Sequence, residues 1–410
     1  MGFAEARILM TSFSVPSPRI DVSQLVWFLE LHELQVVSRS PAPTAFGRTI
    51  LRHRNLPNMG TYPKTTKITD LRIYPIKSCR GISVKSATLS RKGLEHDRRC
   101  MFVDAKKVFI TIRDKPQMTL IKTAIEHDTE DKAILKVTFP AITKSEGQEP
   151  KADYDNATTI SVPLDADQDW FDKNAELIEA EIWKYETDAY AFTAPDVTDV
   201  VTKYFHNFDP ESEVRLVMKG PTPRQCRGNG DPEHLGRKEF VNFPDVLPIQ
   251  VANEASLTEL NGRLSQSGAD EITIERFRPN VIVHSDNLEA WEEDEWKTLR
   301  VNPPRNYLGS LSTLTGINNE SIDVDVAARC ARCHVPNVDP DTAVENKKEP
   351  WSTLCKYRRI DDGVKYKPCF GMLACPRNEG KIEVGMDIEI REVTRAAGGK
   401  AENHMYVKGF

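Results

Sequence analysis

No run of 18 or more apolar residues occurs in this chain of 410; the best candidate, Leu25-Val26-Trp27-Phe28-Leu29, is cut by Glu30, His32 and Glu33. A membrane-spanning helix needs about 20 apolar positions, so no transmembrane anchor is expected. A basic excess is also missing: 55 Lys and Arg stand against 61 Asp and Glu, a formal net charge of −6, and no nucleic-acid partner is expected. Cysteine is sparse. Eight of them at this length do not make a disulfide scaffold and fit a reducing, intracellular compartment, cytoplasmic or mitochondrial. The chain has no dinucleotide-binding glycine motif and no ferredoxin-type Cys cluster at its C-terminal end. Acidic residues are absent from Leu34 to Ile68, where Arg39, Arg48, Arg52, Arg54, Lys64 and Lys67 stand among Ser, Thr and Pro. That texture is reminiscent of an organelle transit segment but begins late, and residues 1–66 read as a disordered or mis-assigned leader.

What is present is 39% hydrophobic and 28% charged, the balance of a soluble globular protein long enough for two domains. From Ile68 the texture is β: Ile68-Thr69-Asp70-Leu71-Arg72-Ile73-Tyr74 and residues 82–89 alternate as half-buried strands do. Cys100–Val103 and residues 108–111 flank Asp104-Ala105-Lys106-Lys107 as a hairpin. Further strands are expected at 134–139, 159–162, 214–218, 272–274 and 281–283. Asp196 before Val197, Val200, Val201, Tyr204 and Phe205 predicts a capped helix, and Leu257, Leu260 and Leu264 predict a second. Residues 220–238, rich in Pro and Gly, read as a long loop. Many short strands with few helices predict a mainly β (α+β) fold with barrel-like packing. The acidic run Trp291-Glu292-Glu293-Asp294-Glu295-Trp296 reads as a solvated turn with two buried indoles.

The chemistry concentrates in a few motifs. Cys330-Ala331-Arg332-Cys333-His334 supports three readings: a c-type haem attachment, half of a zinc site, or a thiolate beside an Arg for a softer metal. Pro336 and Pro340 break the helix that would follow a haem motif. Cys355, Cys369 and Cys375 supply no second C-x-x-C for zinc. Lys77-Ser78 in Tyr74-Pro-Ile-Lys-Ser-Cys-Arg-Gly brings an ammonium, a hydroxyl and backbone N–H groups to the end of a strand, which is equipment for binding a phosphate. Asp97-Arg98 is a second junction of that kind, and Arg278-Pro279-Asn280 holds an Arg and an Asn at a rigid third. Together they imply a polyanionic cofactor approached by a cysteine.

In order and spacing, Tyr74-Pro-Ile-Lys-Ser-Cys-Arg-Gly, Phe277-Arg-Pro-Asn and Cys330-Ala-Arg-Cys-His-Val-Pro-Asn-Val-Asp-Pro-Asp-Thr resemble the MOSC proteins of the mitochondrial amidoxime-reducing component type, over roughly Ile68 to Arg391. The resemblance implies a MOSC N-terminal β-barrel domain at 67–190, a helix and linker loop at 191–240, a MOSC domain at 241–396 and a tail at 397–410. It implies a molybdenum cofactor (molybdopterin), with Cys333 as metal ligand and catalytic centre, and with Lys77, Ser78, Arg98, Arg278, Asn280 and Arg332 binding the cofactor. Arg332 is expected to favour the Cys333 thiolate. Ala331 stands where the family commonly has a small polar residue. The implied activity is reduction of N-hydroxylated compounds, with electrons from a cytochrome b5-type donor and its flavin reductase. The alternative is a carrier of molybdenum cofactor or sulfur, as in the C-terminal part of molybdenum cofactor sulfurases. Pyridoxal phosphate binding attaches to the chain by that resemblance alone, since the desulfurase domain that accompanies it there has no room here.

Overall fold

The computed structural model describes residues 63–143, 151–303, 320–394 and 407. The expected leader, up to residue 62, and most of the expected tail lie outside the described residues. Lys64, Thr65 and Thr66, expected to belong to the leader, are ladder residues: they pair with Ile390, Glu389 and Ile388.

Seven strands close into a barrel in the order Val281–His284, Ile249–Asn253, Cys369–Pro376, Ile322–Ala331, Trp296–Asn302, Asp387–Val393 and Lys64–Ile73, which returns to Val281–His284. Six of the seven pairings are antiparallel; Ile249–Asn253 and Val281–His284 run parallel. A parallel pair needs a crossover, here the helix Glu254–Gln266, capped by the Asn253 side chain, which accepts from Ala255 N at 3.1 Å. Leu260 and Leu264 are buried on its inner face, with Leu257 partly so. Strand alternation, reset in the first strand by an irregularity between Ile68 and Asp70, sends Ile68, Leu71, Leu299, Val301, Val324, Ile388 and Ile390 inward with the fully buried Trp296.

A second body is built from the four-stranded sheet Cys100–Val103, Arg215–Lys219, Tyr185–Phe192, Ala175–Ile182 and the meander Lys122–His127, Ala133–Thr143, Lys151–Pro163. The helix Pro195–His206 adds Val197, Val201, Tyr204 and Phe205 to its core, where Phe102 meets Phe205 edge to face at 5.3 Å.

Several local expectations are corrected. The helix begins two residues earlier than read: Ala194 is the N-cap and Pro195 opens the first turn, where its missing N–H costs nothing, so Asp196 sits inside the turn. The strand expected at 272–274 does not form: Ile274 opens a 3₁₀ turn, Ile274–Phe277, that leads directly into Arg278. The loop 220–238 carries a two-stranded ladder, Arg224–Gln225 with Phe240–Val241, and a short helix, Pro232–Leu235. The acidic run is not solvated throughout: Glu293 and Asp294 are buried, Ser256 Oγ lies 2.7 Å from Glu293 Oε1, and Arg358 Nη2 donates to Asp294 at 2.8 Å.

Candidate active site

Strand Lys64–Ile73 ends at Tyr74, whose N–H donates to Asp97 Oδ1 at 2.8 Å, and the chain turns through Lys77 and Ser78 with Ser78 in the left-handed region at φ 70°. Gly81 closes the turn because a Cβ there would lie 2.4 Å from the Tyr74 ring. That ring is fully buried and carries two guanidinium groups over it, Arg278 at 4.2 Å and Arg98 at 4.9 Å from its centroid. Burial pushes the Tyr74 hydroxyl up to about 12 against the three arginines around it, so it stays protonated.

Arg98 and Arg278 are also left-handed, at φ 47° and 57°. With Trp183 at φ 52°, four non-glycine residues in this region line one cavity, a concentration of strain of the kind that collects at functional sites. Arg98 pairs with Asp97, donates from Nη1 to Asn280 Oδ1 at 3.1 Å and from Nη2 to the Arg278 carbonyl at 3.2 Å. Asn280 is a brace: Nδ2 donates to Arg72 O at 3.1 Å and Oδ1 accepts from Gln250 N at 3.2 Å. Arg278 Nη1 donates to Cys79 O at 2.7 Å, while its Nη2 is buried with no partner.

The strand Ile322–Ala331 delivers Cys330 and, just beyond it, Arg332 and Cys333. Arg332 is anchored by Nη2 on Phe277 O at 2.8 Å and by Nη1 on Gln250 Oε1 at 3.1 Å and Cys330 Sγ at 2.8 Å, with Nε buried and unpartnered. The charge expected beside Cys333 therefore points at the other cysteine. Register explains it, since residues two apart on an extended chain share a face and adjacent ones do not. Burial raises the Cys330 thiol despite the guanidinium. Cys333 Sγ has no hydrogen-bond partner among the described residues. His334 stacks on Trp351 at 4.3 Å.

All seven expected site residues, Lys77, Ser78, Arg98, Arg278, Asn280, Arg332 and Cys333, line one cavity of about 260 Å³, and Ala331 lines it with them. Sequence reasoning missed Asp245, Gln250, Arg113 and Trp183. Asp245 pairs with Lys77 Nζ and accepts from Trp183 Nε1 at 2.9 Å; Arg113 covers the Trp183 ring at 4.5 Å. Burial lowers Lys77 to about 8, more than Asp245 raises it. The Asp245 side chain is 47% exposed, and although burial pushes its carboxyl up, Lys77, Trp183 and Arg113 together hold it well below the usual range. Nothing in the local sequence Asn242-Phe-Pro-Asp marks it; only the fold brings it to Lys77.

Among the described residues no three His, Cys, Asp or Glu side chains gather to hold a metal, so a metal at Cys333 would draw its other ligands from a cofactor. The residues present suit such a group: two buried guanidinium N–H groups lack acceptors, and phosphate and pterin amide oxygens supply them. Among the described residues no helix is long and apolar enough to cross a membrane.

A MOSC N-terminal beta barrel domain matches residues 65–208 and a MOSC domain residues 239–389. Mitochondrial amidoxime reducing component 2 of Rattus norvegicus is 29% identical over 347 residues, 82% of this chain and 84% of that protein. Component 2 of Homo sapiens is 28% identical over 354 residues and component 1 of Homo sapiens 25% over 342, with the same coverage of both chains. Pyridoxal phosphate, expected through the sulfurases, finds no support in either domain or in these relatives. With both domains present, and with similarity across most of its length to these relatives, the chain belongs to the MOSC-domain proteins of the amidoxime-reducing component type.

Proposed function

We propose that this protein is a molybdenum-cofactor oxidoreductase that reduces N-hydroxylated compounds such as amidoximes and hydroxylamines. The carrying observation is that an unpartnered thiol, Cys333, shares a cavity with two buried guanidinium groups that each keep one nitrogen without an acceptor, Arg278 Nη2 and Arg332 Nε. A buried unsatisfied donor costs about 1–3 kcal/mol, so the cavity favours a ligand rich in acceptors. The names of the relatives supply the substrate class. When bound, a pterin-dithiolene molybdenum supplies two-electron redox chemistry suited to an N–O bond.

The chain's own residues have distinct tasks. Cys333 holds the metal. Arg278 and Arg332 offer their free N–H groups to the cofactor, Lys77, Ser78 and Arg98 border its phosphate and pterin, and Asn280 braces the arginine beside it. Phe277 and Phe370, stacked at 3.7 Å, back the site and keep water from behind it. Converting R–NH–OH to R–NH₂ and water takes two electrons and two protons. The electrons come from a cytochrome b5-type protein and its flavin reductase, and the protons from solvent, with Lys77 Nζ holding one at neutral pH on the cavity wall.

Molybdenum and pterin content of the purified protein and of Cys333→Ala, with benzamidoxime and reduced methyl viologen as the turnover assay, tests this. Metal, pterin and turnover in the wild type, with turnover lost in the variant, support the reductase. Metal and pterin without turnover favour a carrier of cofactor or sulfur, and absence of both after cofactor-replete expression overturns the reading.

A further inference from the structure

A second cavity, of about 300 Å³, lies next to the first along the chain: residues 240–242 line it, while residues 244–247 line the first. None of the described residues lining it is acidic, and four are cationic, Lys92, Arg99, Lys219 and Arg224. Lys219 is neutralised. Its ammonium pairs with Asp188 and donates to Gly220 O at 3.0 Å and Thr222 O at 2.6 Å, and the other Asp188 oxygen accepts from Thr222 N at 2.7 Å. The loop Pro221-Thr222-Pro223 is thereby pinned, with two prolines fixing its backbone.

The other three cations have no ion pair of this kind, although Asp245 acts on Arg224 from the neighbouring cavity. Lys92 and Arg99 make no side-chain hydrogen bond or ion pair among the described residues. Arg224 Nη1 donates only to neutral carbonyls, Asn242 O at 3.3 Å and Pro244 O at 2.9 Å. Arg99 is tied to this wall through its backbone, since Arg99 O accepts from Lys219 N at 3.0 Å. One wall is aromatic: Tyr190 stacks on Phe171 at 4.2 Å and 15°, with its hydroxyl donating to Gln168 Oε1 at 2.9 Å.

Like charges held together without counter-charge repel, and a bound dianion relieves the repulsion while offering acceptors to guanidinium forks. We infer that this second cavity binds phosphate, either inorganic phosphate or the phosphate group of a small phosphomonoester, through Lys92, Arg99 and Arg224, with Tyr190 as the wall for an organic substituent. Its lining residues are distinct from those of the Cys333 cavity, except that Arg224 faces Asp245 of that cavity electrostatically.

The test is calorimetric titration of the full chain with inorganic phosphate and with phenyl phosphate at constant ionic strength. The wild type is compared with the Lys92→Gln, Arg99→Gln double variant and with Arg278→Gln, each checked by thermal denaturation. The expected result is binding weakened at least tenfold in the double variant and within twofold of wild type in Arg278→Gln. Tighter binding of phenyl phosphate than phosphate identifies a phosphomonoester as the ligand, and the reverse identifies inorganic phosphate. Should the double variant fold poorly, the exposed Lys92→Gln alone is expected to weaken binding about threefold. No phosphate binding in the wild type, or binding that Arg278→Gln removes and the Lys92 and Arg99 substitutions leave intact, overturns the inference.

Discussion

Arg332 Nη1 donates to Cys330 Sγ at 2.8 Å, while Cys333 Sγ, on the same cavity, has no partner among the described residues. The two thiols of the C-x-x-C are therefore unequal. One is part of the framework that holds an arginine, and the other is available to a ligand.

Replacing them separates these roles. Cys333→Ala is expected to lower benzamidoxime turnover by more than about 100-fold with the melting temperature nearly unchanged. Cys330→Ala is expected to keep turnover within about threefold and to lose about 1–2 kcal/mol of stability, because Arg332 keeps Gln250 and the Phe277 carbonyl. Parallel turnover assays and denaturation curves read both.

Cofactor retention should depend on pH through Lys77. Burial puts this ammonium at about 8; below that pH it is charged and attracts a phosphate, and above it the attraction fades. Asp245, held well below the usual carboxylate range, stays ionised throughout, so the step belongs to Lys77. Dialysis at pH 9 is expected to strip molybdenum and pterin faster than dialysis at pH 7, and Lys77→Gln to erase the difference. Equal retention in the wild type at both pH values would contradict this.

Stability should respond to pH through Glu293. Burial, reinforced by Asp294, raises its carboxyl to about 7. A carboxyl raised in the folded state binds its proton more tightly there than in the unfolded chain. Its contribution is therefore complete below the ordinary Glu range and is lost as pH rises through about 7. Glu293→Gln is expected to flatten the fall in melting temperature between pH 5.5 and 8.5 and to be the more stable protein at the upper end, by on the order of a few kcal/mol.

Gly81→Ala tests the Tyr74 platform. A Cβ at 81 would overlap the buried ring on which Arg98 and Arg278 rest. Overpacking of this kind costs about 1–3 kcal/mol, and displacing the ring is expected to reduce bound molybdenum and pterin together. Metal analysis and a melting curve are sufficient to check it.

Much of the site was legible because its residues sit in three short motifs with distinctive chemistry: Lys77-Ser78, Arg278-Pro-Asn and Cys330-Ala-Arg-Cys. Tertiary information was not. Asp245 follows an unremarked Phe-Pro, and only the fold carries it to Lys77. The direction of Arg332 depends on strand register at the end of Ile322–Ala331, which composition does not encode. Strands were legible where polar and apolar residues alternate, as in Ile68-Thr-Asp-Leu-Arg-Ile. The hairpin between Ala175–Ile182 and Tyr185–Phe192 was missed because its two turn residues, Trp183 and Lys184, take φ of 52° and 68° without the Gly or Asn that normally announces such a turn. Residues 272–274 looked like a strand by β-branched content, but they find no ladder partner, and Ile274 instead opens the 3₁₀ turn before Arg278.

Lys64–Ile73 pairs with strands that begin at Val281 and Asp387. During synthesis the first of these strands leaves the ribosome long before its neighbours exist, and it has to remain unpaired without aggregating until they do. The cavity walls that come from the barrel, Ile249, Gln250, Cys330 and Leu373, are therefore assembled late and together. A ribosome stalled before residue 387 leaves a chain that holds Lys77-Ser78, Arg278 and Cys333 but no closed barrel to bring them to one cavity, so the cavity itself exists only after the strand Asp387–Val393 is made.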